Sequence, residues 1–261
     1  MDPYATDPPD AGDPSDPSPP DLARTAVDPL LRAAVRTLPE ATGAVCAELL
    51  GRVRPGRSAG PALVLAAARA VGGFEEDALT AAAAIELVYV MGLLSEDSAG
   101  RDPSAPPGSA RTGEALAALA IRLVAGRSAA VGVLCDCLVE RAETDGEAAG
   151  RGALFAAACA LGGLHGGASP RVAAALGAFG RAAATTAAAS GPGGPGRPGG
   201  PPPRLRPRPL AAVPPVGGGR PPGGGSVRSD PALEHLASAV PGPAEAAGLL
   251  ALYALITRGE L

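Results

Sequence analysis

Apolar residues recur at three- and four-residue spacing through most of the chain between residues 22 and 189, and no stretch alternates apolar with polar as a half-buried strand does. A chain patterned in this way is confined to helices. Leu22 to Thr37 and Glu40 to Leu50 read as short amphipathic helices; Ala62 to Val71, Glu76 to Ser95, Gly113 to Arg141, Ala148 to Leu164 and Arg171 to Ala189 read as longer ones. Gly72-Gly73, Pro103 to Gly108, Gly166 to Pro170 and Gly191-Pro192 separate them, and Pro103 pushes Asp102 out of helical geometry. The pattern predicts an all-α bundle.

Such a bundle has to be assembled from small side chains. With three Phe, three Tyr and no Trp, the core falls to Leu, Val, Ile and much Ala. Ala-rich helices approach closely but bury less apolar area each, so at about 25 cal/mol per Å² the domain gains from a partner surface. The ends differ from the middle. Met1 to Asp21 holds six aspartates and no base, enough to account for the net charge of −4, and residues 1–21 read as a disordered acidic Pro-rich tail. Ser190 to Asp230 holds 12 Gly and 12 Pro in 41 residues, too little apolar surface to offset the entropy of ordering. Residues 231–261 regain helical character, interrupted at Pro241 and Pro243, and are expected to dock back. The predicted organisation is therefore one helical domain, 22–189 with 231–261, carrying a disordered Gly/Pro-rich insertion at 190–230.

Several function classes fall away on composition. All 22 basic residues are arginine; with the abundance of Ala, Gly and Pro this reads as drift toward GC-rich codons, and no basic field suited to nucleic acid emerges. Cys46, Cys135, Cys137 and Cys159 form no Cys-x-x-Cys and sit in apolar helical contexts, so they read as small buried hydrophobes rather than a zinc site or disulfide framework. His165 and His235 each lack a patterned acid or nucleophile partner, which leaves catalytic residues unassigned. The acidic, Pro-rich start has no basic or apolar signal region, so a cytoplasmic location is expected. The uncharged run Gly152 to Pro170 is largely Ala and Gly and contains His165, which favours a buried helix over a stable membrane span. Arg204-Leu205-Arg206-Pro207-Arg208-Pro209 reads either as a polyproline ligand or as a solvated basic spacer.

Five segments point further. Glu86-Leu87 lead through Tyr89 and Ser95 to Glu96-Asp97, Gly100 and Asp102; upstream stands Gly56-Arg57-Ser58-Ala59-Gly60-Pro61. Downstream follow Thr112-Gly113-Glu114-Ala115-Leu116-Ala117, Gly150-Arg151-Gly152-Ala153-Leu154-Phe155 and Ala178-Phe179-Gly180-Arg181. In order and spacing, over residues 40 to 190 and faintly 204 to 258, the chain resembles the trans-polyprenyl (isoprenyl diphosphate) synthases. The matching family patterns are Ala-x-Glu-Leu-x-His running to His-Asp-Asp-x-x-Asp, Gly-Lys-Arg-x-Arg-Pro, Phe-Gly-Glu-Ala-x-Ala, Lys-Thr-Ala-x-Leu-Phe, and Phe/Tyr-Gly-Arg opening a helix that ends in Phe-Gln-x-x-Asp-Asp-x-x-Asp. The resemblance implies an isoprenoid-synthase-like helical bundle around a cavity, in which two acidic helix ends hold magnesium ions against the diphosphate of an allylic substrate.

The departures from these patterns are as informative as the matches. Carboxylates at i and i+4 share a helix face and can direct oxygens jointly at a hard cation. Here Glu96 and Asp97 replace the paired aspartates, Gly100 takes the third position, and Asp102 fits a longer spacing. By resemblance Glu96, Asp97 and Asp102 are the candidate ligands of a magnesium ion held weakly or lost; the plainer reading of them is solvated acids at a helix end. Arg57, Arg101 and Arg151 are the candidate diphosphate contacts, a task that suits a planar guanidinium. Arg57 keeps one charge of the Gly-Lys-Arg-x-Arg-Pro loop, Arg101 is one of the nearest substitutes for an arginine pair, and Arg151 keeps the charge of the lysine in Lys-Thr-Ala. Tyr89 stands at a histidine position on the cavity side, where it shapes the chain pocket or packs in the core. The second acidic run is replaced by Ala182-Ala183-Ala184-Thr185-Thr186-Ala187-Ala188-Ala189-Ser190-Gly191-Pro192.

Two functions are compatible with this pattern. One is a polyprenyl-synthetase-like protein without independent catalysis, forming a homodimer or a heterodimer with an active prenyl diphosphate synthase and retaining an isoprenoid diphosphate as ligand. The other is a magnesium-dependent prenyltransferase or terpene-forming enzyme acting on allylic diphosphates with a one-sided metal site.

Overall fold

A computed structural model describes residues 18–52, 58–96, 109–144, 147–190, 230–240 and 242–258. The acidic tail, residues 53–57, residues 97–108 and the Gly/Pro-rich run 191–229 lie outside the described residues, together with the expectations placed on them. Among the described residues there are ten helices and no strand: α1 (Pro19–Val35), α2 (Glu40–Arg52), α3 (Gly60–Ala70), α4 (Glu75–Glu96), α5 (Ser109–Val124), α6 (Ser128–Glu143), α7 (Glu147–His165), α8 (Pro170–Ser190), α9 (Pro231–Ala239) and α10 (Pro243–Arg258).

Two boundaries differ from the sequence reading for identifiable reasons. The first helix starts at Pro19 rather than Leu22, because Ser18 and Asp21 form a capping box. The Ser18 hydroxyl accepts the Asp21 N–H, and the Asp21 carboxylate accepts from the Ser18 N–H and hydroxyl, while the two prolines occupy a first turn whose N–H groups have no helical partner anyway. The run Gly113 to Arg141 is two helices rather than one. At the junction Arg127 is extended, with φ −130° and ψ 105°, and its guanidinium donates to the Leu164 carbonyl at 3.2 Å, at the C-terminal end of α7. A cation at a helix C-terminus is electrostatically favoured. The break thus combines a local stop signal, Gly126 just before Arg127, with a contact 37 residues away.

Helix α4 runs through the middle of the bundle, packed against α1, α3, α5 and α7. Ala81 to Ile85, Leu87 and Val88 are all fully buried. Helix α7 in turn lies against α3 and α8, and α10 closes over α3 and α8. The small residues permit unusually short approaches. A Cβ on Gly162 of α7 would overlap the Val64 carbonyl of α3, and one on Gly180 of α8 would overlap the Phe155 carbonyl of α7. The window Glu75–Leu94 is long and apolar enough to cross a membrane by length and composition, but 67% of it is buried inside the bundle, as befits a core helix. The corresponding window of α8, Pro170–Ala189, is 39% buried.

The C-terminal pair packs against α8. Asp230 caps α9 by accepting the Ala232 N–H at 2.9 Å, and its other carboxylate oxygen accepts from the Tyr253 hydroxyl of α10. The Tyr253 ring leans on Phe179 of α8 with centroids 6.0 Å apart. All four cysteines are free thiols and three are buried; burial pushes the Cys159 thiol up to about 12, the behaviour of a small hydrophobe.

His165 closes the opposite end of α7. Its Nδ1 lies 2.9 Å from the Asp77 carbonyl oxygen, which makes it the protonated nitrogen, and its Nε2 is buried without a partner. Protonating Nε2 would create a buried donor with nothing to accept it, so burial holds the imidazole below its ordinary range. A folded-state pKa below the unfolded value means that the unfolded chain takes up the proton first, so stability falls as pH drops from about 6.5 toward the folded pKa. Urea midpoints measured across that interval are expected to decline for the native chain and to change less for His165→Gln; parallel declines would assign the effect to other groups.

Candidate functional site

The structure brings two arginines to α4 that the sequence reading did not single out. Glu86 is fully buried, and one of its carboxylate oxygens is paired with the Arg24 guanidinium of α1. Arg24 is itself mostly covered; it also bonds Asp28 at 2.9 Å and the Leu50 carbonyl at 3.1 Å, so it ties α1, α2 and α4 together. The second Glu86 oxygen has no hydrogen bond. Burial pushes the Glu86 carboxyl up, against the opposing influence of Ser58 and Arg24; Ser58 faces the carboxylate without completing a hydrogen bond of regular geometry. The family's Glu-Leu pair is therefore held as a structural anchor of α4.

Six residues further along α4 lies Gly92, a distance of about 9 Å at 1.5 Å per residue. Here the Arg141 guanidinium of α6 lies against the bare glycine backbone: a Cβ on Gly92 would sit 3.1 Å from Arg141 Cζ and overlap Nη2. The same guanidinium donates from Nη1 to the Gly150 carbonyl of α7 at 2.7 Å. Its Nε is buried without an acceptor. Neighbouring Glu140 is engaged by Arg181 of α8, which keeps the glutamate below its ordinary range.

The sequence-predicted residues distribute around this point. Glu96 is the last residue of α4, one turn beyond Gly92. Asp97, Asp102, Arg57 and Arg101 lie outside the described residues. Tyr89 is half-buried on α4 and packs against the core. Arg151 is half-buried on α7 and engaged in an interaction of its own. In strict register the lysine of Lys-Thr-Ala falls on Gly150, and the guanidinium bound to that residue is Arg141's. Among the described residues no three His, Cys, Asp or Glu side chains gather closely enough to hold a metal ion.

An open groove, with a cavity volume of about 770 Å³, runs between α1 and α2 over Leu31, Val35 and Leu50, with Arg24 and Asp28 of the α4 anchor on its wall and Arg32 and Arg36 along its course. None of its lining residues is among those predicted, and α2 packs only lightly on α1 and α5. It is the gap beneath a loosely seated helix rather than the interior cavity that the resemblance implies.

This arrangement of helices defines a trans-prenyltransferase-like fold. The polyprenyl synthetase of Streptomyces coelicolor A3(2) superposes with a TM-score of 0.57 at 25% identity, over 66% of this chain and 64% of that one. The geranyl diphosphate synthase small subunit of Antirrhinum majus gives 0.55 at 21% identity over 64% of this chain and 81% of that one, and a chain of the heterotetrameric geranyl pyrophosphate synthase of mint gives 0.50 at 22% over 64% and 80%. The chain thus spans less than two thirds of the bacterial synthetase and about four fifths of the two plant chains. No family model and no curated protein sequence matches it.

Proposed function

We propose that this chain is a polyprenyl-synthetase-like subunit of isoprenoid biosynthesis that lacks independent catalysis and modulates an active prenyl diphosphate synthase with which it associates. The observation that carries the reading is α8. In the resembled family that helix ends in the second acidic run, yet Pro170–Ser190 contains no carboxylate anywhere along its 21 residues. Magnesium prefers near-octahedral oxygen ligation and draws its affinity from carboxylates and phosphate oxygens. A wall of Ala, Thr and Ser offers hydroxyls and methyl groups, and so does not fit its half of a diphosphate clamp.

Magnesium-dependent turnover on a one-sided site is the competing reading, favoured by the survival of Glu96 at the end of α4. The two are separated by assaying the purified chain with allylic diphosphates and magnesium, alone and together with an active synthase. The subunit reading expects no product from the chain alone, co-purification with the synthase, and an altered product length or rate. Product from the chain alone that disappears in Asp97→Ala would reverse the assignment, and absence of any association with such enzymes would remove it.

A further inference from the structure

The groove between α1 and α2 opens toward the point where residues 1–17 join the bundle. Its α1 wall is a single stripe through Arg24, Asp28, Leu31 and Val35, at the three- and four-residue spacing that shares a helix face. Asp21, three residues before Arg24, carries that stripe into the first turn of α1. The two helices are antiparallel, because Arg24 bonds the Leu50 carbonyl while a Cβ on Gly43 would stand 3.2 Å from the Val35 carbonyl oxygen. They part toward the far end of α2, where nothing among the described residues lies within 4 Å of a Cβ placed on Gly51. The wide end of the groove therefore lies beside the N-terminal half of α1. Its floor is apolar, with Leu31, Val35 and Leu50 buried, and the small side chains Ala44 and Ala47 of α2 leave the space above it unfilled.

Charge and length select the occupant. Arg24 is spent on Glu86, Asp28 and the Leu50 carbonyl, and Asp28 accepts from both Arg24 and Arg32. That leaves Arg32, with its side chain 75% exposed, and Arg36, exposed and without an acid partner among the described residues, against one further acid on the rim, Glu40. Residues 1–17 hold five aspartates and no arginine, and four of the five, Asp7, Asp10, Asp13 and Asp16, recur at every third position. Three residues make one turn of a polyproline II helix, the form that a Pro-rich segment favours. In that helix the four acids share one face, while Ala5, Pro8, Ala11 and Pro14 share another, which is apolar. Alone such a segment has too little apolar surface to order itself; the groove supplies the missing side. The lengths agree as well. Ser18 to Arg36 is about 27 Å along the helix axis, and residues 5–14 cover about 31 Å at about 3.1 Å each, with Ser15-Asp16-Pro17 providing turn-forming residues where the chain reverses.

We propose that the α1–α2 groove is the docking site of the chain's own residues 1–17, which turn back over α1 with Ala5, Pro8, Ala11 and Pro14 on the apolar floor and Asp7, Asp10 and Asp13 toward Arg32 and Arg36. The proposal is independent of the subunit reading above. The full-length chain is treated with phenylglyoxal, and modification of each arginine is followed by peptide mass mapping, for the native sequence and for a chain carrying Asp7→Asn, Asp10→Asn and Asp13→Asn together. Arg36 is expected to react about three- to fivefold more slowly in the native chain, the effect of one or more exposed charge pairs, and the difference fades in high salt. Arg171, exposed on α8, gives the unprotected rate in both chains. Ala47→Glu, which sets a carboxylate in the groove while leaving residues 1–17 intact, is expected to release Arg36 to the same degree; helical signal and urea midpoint establish that each variant is folded. The proposal is overturned if Arg36 reacts alike in the native and Asn-substituted chains. It is overturned equally if protection grows with chain concentration, which assigns the groove to a second copy, or if it arises only when an active synthase is added, which assigns the groove to that partner.

Discussion

Gly162→Ala and Gly180→Ala are each expected to destabilise the fold by about 2–3 kcal/mol, although alanine is the better helix former at both positions. In an unconstrained helix interior the same change stabilises by about 0.4–1 kcal/mol, because glycine has more conformational freedom to lose. Packing reverses the sign here. A Cβ on Gly162 would lie 2.9 Å from the Val64 carbonyl carbon and 2.8 Å from the Ala67 Cβ, and one on Gly180 would lie 2.7 Å from the Phe155 carbonyl carbon. The obstructing atoms are mostly backbone, which cannot rotate away as a flexible side chain does, so whole helices must part and overpacking costs reach the upper end of their usual range. Gly132 on α6 supplies the control. Nothing lies within 4 Å of a Cβ placed there, and Gly132→Ala is expected to raise the urea midpoint at unchanged m-value. If Gly162→Ala raised the midpoint as Gly132→Ala does, the close approach of α3 and α7 would be disproved.

The helices were legible because their apolar spacing is a property of each segment alone, and the breaks at Gly72-Gly73 and Gly166 to Pro170 were legible for the same local reason. Part of what escaped was set across the fold, as where Arg127 between α5 and α6 reaches the end of α7; the earlier start of α1 is local, a capping box between Ser18 and Asp21. The trans-prenyltransferase-like fold was readable from ordered motifs, of which Glu86-Leu87 survives as a fully buried pair. Arg141 was not, because its importance lies in two glycines, one on α4 and one on α7, that make room for it. A guanidinium that belongs to no motif is recognised only once three helices have been brought together.

The largest single electrostatic effect is expected at the anchor of α4. Arg24→Met should cost about 3–5 kcal/mol at neutral pH, because it strands the Glu86 carboxylate in the interior without a counter-charge. Loss of the Arg24–Asp28 pair adds to this, since Arg24 is largely covered and Asp28 only partly exposed. The pH dependence identifies the cause. Burial raises the Glu86 pKa above its usual value, so the folded state holds the proton more tightly than the unfolded state. Stability associated with that proton is full below about pH 4.5 and is lost as pH rises through the folded pKa. Removing Arg24 withdraws a favourable charge and moves the folded pKa higher still, so the deficit of the variant should be small in acid and grow toward neutrality. Chemical denaturation of both chains at several pH values measures this directly. Replacing both partners at once, Arg24→Met with Glu86→Leu, exchanges two desolvated charges for apolar groups and is expected to recover most of the loss. A deficit independent of pH, or a double variant no better than Arg24→Met, would instead place the contribution of Arg24 in its hydrogen bond to Leu50 and its packing between α1 and α2.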